Sequence, residues 1–91
     1  MRIDELPTPA LLLDLDRLEA NVRRMSVKAA RLGVALRPHI KTHKSIEVAR
    51  LQRDHGARGI TVSTLHEAKV FAAHGFDDIT WAFPLVLGRL A

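Results

Sequence analysis

Apolar and polar positions along this chain follow two alternating periods. Residues 10–15, Ala-Leu-Leu-Leu-Asp-Leu, form an almost unbroken apolar run behind Pro7-Thr8-Pro9. A short run of this kind predicts a buried strand. Asp16 is placed to cap a helix beginning at Arg17. Leu18, Val22, Met25, Ala29 and Leu32 then recur at steps of four and three, which draws one apolar stripe down that helix. Arg17, Arg23, Arg24, Lys28 and Arg31 fall mostly off the stripe, and Gly33 supplies a C-terminal stop. Residues 34–37 predict the next strand. After a polar stretch, Ser45 caps a helix carrying Ile46, Val48, Ala49 and Leu51, which stops near His55-Gly56. Residues 59–63 predict another short strand. Thr64, with Glu67 three residues on, spells a capping box for a helix bearing Ala68, Val70, Phe71 and Ala72, ended by Gly75. Residues 78–83 predict a last strand, closed by Pro84.

Strands alternating with helices of this length imply parallel crossovers and an α/β fold. The repeat, near 25 residues, suits a β/α barrel or an open doubly wound sheet. The chain has 91 residues, whereas an eight-fold barrel needs roughly 250. The expectation is therefore an incomplete structure with open sheet edges, the front of something longer.

Composition narrows the chemistry. The chain is 47% hydrophobic and 26% charged, which is globular rather than disordered material. It has no cysteine, so disulfides, thiolate metal sites and a cysteine nucleophile are excluded. A net charge of +4 suits an anionic ligand but is spread along the chain. No apolar stretch approaches the roughly 20 residues of a membrane span. The opening Met1-Arg2-Ile3-Asp4-Glu5 is too acidic for a secretory signal. The expected location is the cytoplasm.

The informative stretch is Arg37-Pro38-His39-Ile40-Lys41-Thr42-His43-Lys44. In a strand, alternate side chains share a face. Val34, Leu36, Pro38 and Ile40 then point one way, toward helices, and Ala35, Arg37, His39 and Lys41 the other, toward a crevice or barrel lumen. Active sites of α/β folds lie at the carboxyl ends of strands. A lysine crowded there by cations loses its charge more readily, and a neutral amine can attack an aldehyde. The same run also reads as a basic strand end on a solvated surface. Thr61 and Ser63 could face the same lumen.

This sequence resembles the family of D-threonine aldolase and eukaryotic-type D-serine dehydratase, pyridoxal 5'-phosphate enzymes of the alanine-racemase fold type. The resemblance runs from Leu6-Pro7-Thr8-Pro9-Ala10-Leu11-Leu12-Leu13-Asp14 and Leu18-Glu19-Ala20-Asn21 to Gly75-Phe76-Asp77-Asp78-Ile79 and Pro84-Leu85-Val86. It peaks at residues 37–44, the family's Arg-Pro-His-x-Lys-(Thr/Ser/Ala)-His-Lys motif. It implies that residues 1–91 are the N-terminal part of a parallel TIM-type β/α barrel whose C-terminal β-domain is missing. Residues 10–15 would then pair with that β-domain, and residues 34–39 would be the first barrel strand. It further implies that Lys41 forms the internal aldimine. Beside it, Arg37 and His39 would line the lumen and could bind substrate or tune the cofactor, Thr42 could donate a hydrogen bond to the cofactor, and His43 and Lys44 could help depress the lysine's pKa; for each, a structural hydrogen bond that orients the loop is the alternative. The implied activity is lysis of D-β-hydroxy amino acids by a homodimer, by aldol cleavage or by dehydration. A divalent metal would be held by ligands outside this chain.

His39 and His43 are four apart, but Pro38 and the strand reading spoil a two-histidine zinc geometry, so no metal site is expected here. His55, His66 and His74 read as surface helix residues, Trp81 and Phe83 as core. No phosphate-cradling glycine loop is visible. Two other readings stay open: a non-catalytic pyridoxal-phosphate homeostasis protein of the same barrel type, and a basic scaffold or nucleic-acid module. Against the latter, aromatics are 4% of the chain and no nucleic-acid motif or membrane partner is indicated.

Overall fold

The computed structural model describes residues 2–84 and Gly88. The order is a 3-10 turn at Ile3–Glu5, helix α1 at Leu15–Arg31, α2 at Ile46–Asp54, strand β1 at Ile60–Val62, α3 at Leu65–Ala73 and strand β2 at Ile79–Trp81. β1 and β2 pair in parallel, with Ile60 opposite Ile79, Thr61 opposite Thr80 and Val62 opposite Trp81. Helix α3 is their crossover.

Each helix starts where a side chain can satisfy an orphan amide. Ser45 accepts from Val48 N–H and Thr64 accepts from Glu67 N–H. The first helix corrects the expectation: Asp14, not Asp16, is the cap, accepting from Arg17 N–H at 3.1 Å. Asp14 stands in extended backbone, as a cap must, so Leu15 and Asp16 already belong to the helix.

Residues 34–40 run as a third, imperfect strand beside β1. Arg58 N–H bonds to Leu36 O, Thr61 N–H to Pro38 O and Ile40 N–H to Thr61 O, but only the His39–Thr61 bridge is a complete parallel pair. Pro38 has no N–H to give, so the rung opposite Gly59 cannot close.

The core lies on one face of these three segments. Ile40, Ala49, Ile60, Val62, Phe71 and Phe76 are buried together, with Ile46, Ala68, Ile79 and Trp81 packed against them. Phe71, Ile40, Ile60 and Val62 are the largest fully buried side chains, and burial of each is worth about 1.5–3 kcal/mol. Phe71 meets Phe76 edge to face at 5.4 Å.

Two expectations of burial fail. Residues 10–14 form neither helix nor strand, and Leu11, Leu12 and Leu13 are 101%, 64% and 61% exposed. A strand needs a hydrogen-bonded neighbour as well as apolar side chains, and none of the described segments pairs with this one. Instead these leucines form one wall of an apolar groove of about 740 Å³. Leu18, Val22 and Met25 of α1 and Leu36, Pro38 and Val48 also line it. The stripe on α1 therefore faces an open groove, and Met25 stays half exposed. Phe83 is likewise exposed, stacked on Trp81 at 6.0 Å rather than in the core. Leu85 and Val86 lie outside the described residues.

Candidate functional site around Lys41

The strand register stacks the polar face in rows. His39, Thr61 and Thr80 occupy one level. By the same register, Arg37, Gly59 and Asp78 lie one level toward the amino ends, and Lys41 emerges toward the carboxyl ends. The alternation expected for Arg37 and His39 is thus present, while Lys41 stands in the turn that follows.

Ile40 is fully buried and its N–H is bonded to Thr61 O, so the chain is anchored one residue before Lys41. Lys41 is exposed, and its N–H donates to His39 Nδ1 at 3.2 Å. That bond assigns the acceptor role to Nδ1. Among the described residues Lys41 Nζ makes no hydrogen bond and no ion pair.

A turn over residues 41–43 follows, and Lys44 has a left-handed φ of 50°. Lys44 N–H bonds back to Ile40 O at 2.7 Å, while its Nζ lies 3.8 Å from the buried Glu67 carboxylate. Glu67 accepts from Ser63 N–H at 3.0 Å and from Ser63 Oγ at 2.9 Å. The Ser63 backbone N–H, ahead of the Ser63 hydroxyl and the Lys44 charge, holds this carboxyl below its usual range against the opposing effect of burial. His43 accepts from Ser45 N–H on Nδ1 at 2.9 Å and meets Gln52 Oε1 with Nε2 at 3.2 Å. Burial lowers its pKa, and the Gln52 hydrogen bond opposes this only in part.

Not every candidate converges on Lys41. Arg37 is engaged at the amino ends of the strands, with Asp78 and with Ile60 O. Thr42 and His43 border the apolar groove, not the row that carries His39. Sequence reasoning missed Asp78, Gln52 and the Ser63–Glu67 contact. Glu67 was legible only as half of a capping box, and its carboxylate in fact bonds one residue before the cap, to Ser63.

Residues 13–87 match the family described as alanine racemase, N-terminal domain. The chain belongs to the alanine racemase N-terminal domain family. Within it, the chain is 52% identical over 85 residues to D-threo-3-hydroxyaspartate dehydratase of Delftia sp. (strain HT23), covering 93% of this chain and 22% of that protein. It is 51% identical over 72 residues to D-threonine aldolase of Arthrobacter sp, covering 79% and 19%. The solved structure of the Delftia dehydratase superposes with a TM-score of 0.91 at 51% identity, over 94% of this chain and 23% of that one. The chain thus spans about a fifth of the length of these relatives. Among the described residues of this alanine racemase N-terminal domain, no three His, Asp or Glu side chains gather as a metal site, and no helix is long and apolar enough to cross a membrane.

Proposed function

We propose that this chain carries the cofactor-binding lysine of a pyridoxal-phosphate-dependent lyase acting on D-configured β-hydroxy amino acids. The observation that carries the reading is Lys41. It is exposed just past the carboxyl end of an extended segment, with no competing anion among the described residues. That arrangement fits a group attached through an aldehyde carbon, because the amine must be reachable. The activities named for the relatives, D-threo-3-hydroxyaspartate dehydratase and D-threonine aldolase, support the substrate class. When bound, the cofactor accepts the electron pair released as a substrate bond breaks.

In this reading Lys41 holds the cofactor and His39 braces it, through the bond from Lys41 N–H to His39 Nδ1. Arg37, two levels from Lys41 and tied to Asp78, and Thr42, on the groove side, are given no contact with the cofactor. Residues 1–91 form the N-terminal part of the barrel, residues 10–15 pair with a β-domain, and the complete enzyme is a homodimer. A divalent metal would be held by ligands outside residues 1–91. One solved variant of the Delftia dehydratase is described as being in the metal-free form. Residues 1–91 alone have no appreciable lyase activity.

The test is to add pyridoxal phosphate, reduce with borohydride and map the label by peptide mass. Label on Lys41, lost in Lys41→Ala, is expected. Label spread over other lysines, or none, refutes the reading. D-threonine or D-serine turnover by the protein at its full natural length separates the lyase from a cofactor-binding protein without catalysis.

A further inference from the structure

Lys44 is the one non-glycine residue with positive φ among the described residues. A left-handed backbone is unfavourable for an ordinary L-residue, whose Cβ crowds the following carbonyl. Such conformations persist where the surroundings over-determine them. Here two anchors do so, and both refer to β1. At one end of the turn, Ile40 N–H bonds to Thr61 O and Ile40 O accepts from Lys44 N–H. At the other, Lys44 Nζ reaches Glu67, whose carboxylate is fixed by Ser63, the residue directly after β1. Glu67 is the only buried charged residue described, 6% exposed. A buried carboxylate needs charge and hydrogen bonds to offset its lost hydration. It draws them from Ser63 and Lys44 and leaves Lys41 unpaired.

We propose that the Lys44–Glu67 pair is a latch that holds the left-handed turn and thereby positions Lys41. Glu67 and Lys44 are positioning residues: they act through Lys41 and do not touch the cofactor. The inference rests on the cofactor reading above. It also explains why a lysine stands where glycine would fit without strain. The ammonium reaches the buried carboxylate, which glycine could not do.

The experiment uses the protein at its full natural length with pyridoxal phosphate as the probe. The rate of borohydride-trapped labelling at Lys41 is read for Glu67→Gln, Lys44→Met, the double variant and Lys44→Gly, and Tm is recorded for each. The latch predicts labelling slowed about tenfold in each single variant and no further in the double, since coupled residues are not additive. Lys44→Gly, which takes the left-handed turn without strain, stays within about threefold of the unsubstituted protein. Labelling within about twofold of normal in Lys44→Met overturns the latch, as does equal loss in Lys44→Gly and Lys44→Met. If Glu67→Gln fails to fold, the two Lys44 variants decide alone. If the unsubstituted protein takes no label at Lys41, the cofactor reading falls and the latch falls with it. Normal labelling there with undisturbed variants overturns the latch only.

Discussion

Arg37 Nη2 lies 2.6 Å from Asp78 Oδ1, although 41 positions separate the two residues. The guanidinium also donates to Asp78 O at 3.1 Å and to Ile60 O at 3.3 Å. One side chain thus ties the extended segment 34–40 to the starts of both β1 and β2. The side chains are 30% and 44% exposed, so solvent screens the charge and the value of the pair is modest. Asp78→Ala should lower unfolding stability by about 1 kcal/mol, read as a lower urea midpoint with an unchanged slope. Asp78→Asn, which still offers an acceptor oxygen, should lose less.

Gly59 makes room for that tie. A Cβ there would overlap the Asp78 carbonyl oxygen and stand 2.6 Å from Arg37 Nη1. The penalty is steric. Gly59→Ala should cost about 1–3 kcal/mol and lower Tm by roughly 4–8 °C per kcal/mol. A Tm within 2 °C of the parent, about half the shift expected per kcal/mol, would show that both the Asp78 backbone and the guanidinium can move aside.

Phe71 is 2% exposed and central to the core. Its replacement by alanine leaves a cavity beside Phe76, Ile60 and Val62, which costs about 3–5 kcal/mol. Against a total stability of about 5–15 kcal/mol, typical of folded proteins, that is a large part. Phe71→Ala should therefore be largely unfolded by far-UV circular dichroism at 37 °C.

His43 sets a pH dependence. Burial lowers its folded pKa below the ordinary 6.5, so the unfolded chain takes up the proton first as pH falls. The stabilisation is complete above 6.5 and is lost on going below it. Urea midpoints should drop between about pH 7.5 and 5.5, and His43→Gln should flatten that drop. Glu67 acts lower. Its folded pKa is depressed, so its contribution is present above the ordinary 4.5 and is lost as pH falls through the folded value. A midpoint that does not change from pH 7.5 to 5.5 would contradict the role given to His43.

Local chemistry made much of this fold legible. Ser45 and Thr64 act as caps because a hydroxyl three residues before an amide has little choice of partner. Ile60, Val62 and Phe71 are core because strand and helix periods fix their faces. What escaped depended on distant partners. The run at Leu11–Leu13 states that burial is wanted but not against what, so the buried-strand expectation had no means of locating a neighbour. Phe83, two residues past β2, was assigned to the core by its type alone. The strand of residues 34–37 is real in direction but broken in its ladder, because Pro38 removes the donor that a periodicity argument ignores. At the site, the role proposed for Lys41 came from the resemblance, and the face shared by Arg37 and His39 followed from alternation. The Glu67–Lys44 contact could not, since it needs the separation of two loops.

The parallel pairing runs in chain order: segment 34–40 lies beside β1, and β1 beside β2. Each strand is joined to the next by a single helix, so no later segment must thread between two earlier ones. The sheet is built by accretion, each βα unit docking on the edge its predecessor has just finished. A polypeptide emerging from the ribosome can therefore begin to bury Ile40, Ile60 and Phe71 in the order of their synthesis. The turn that presents Lys41 takes both of its anchors from β1 and α3, and so is set once α3 has docked, before β2 has been added.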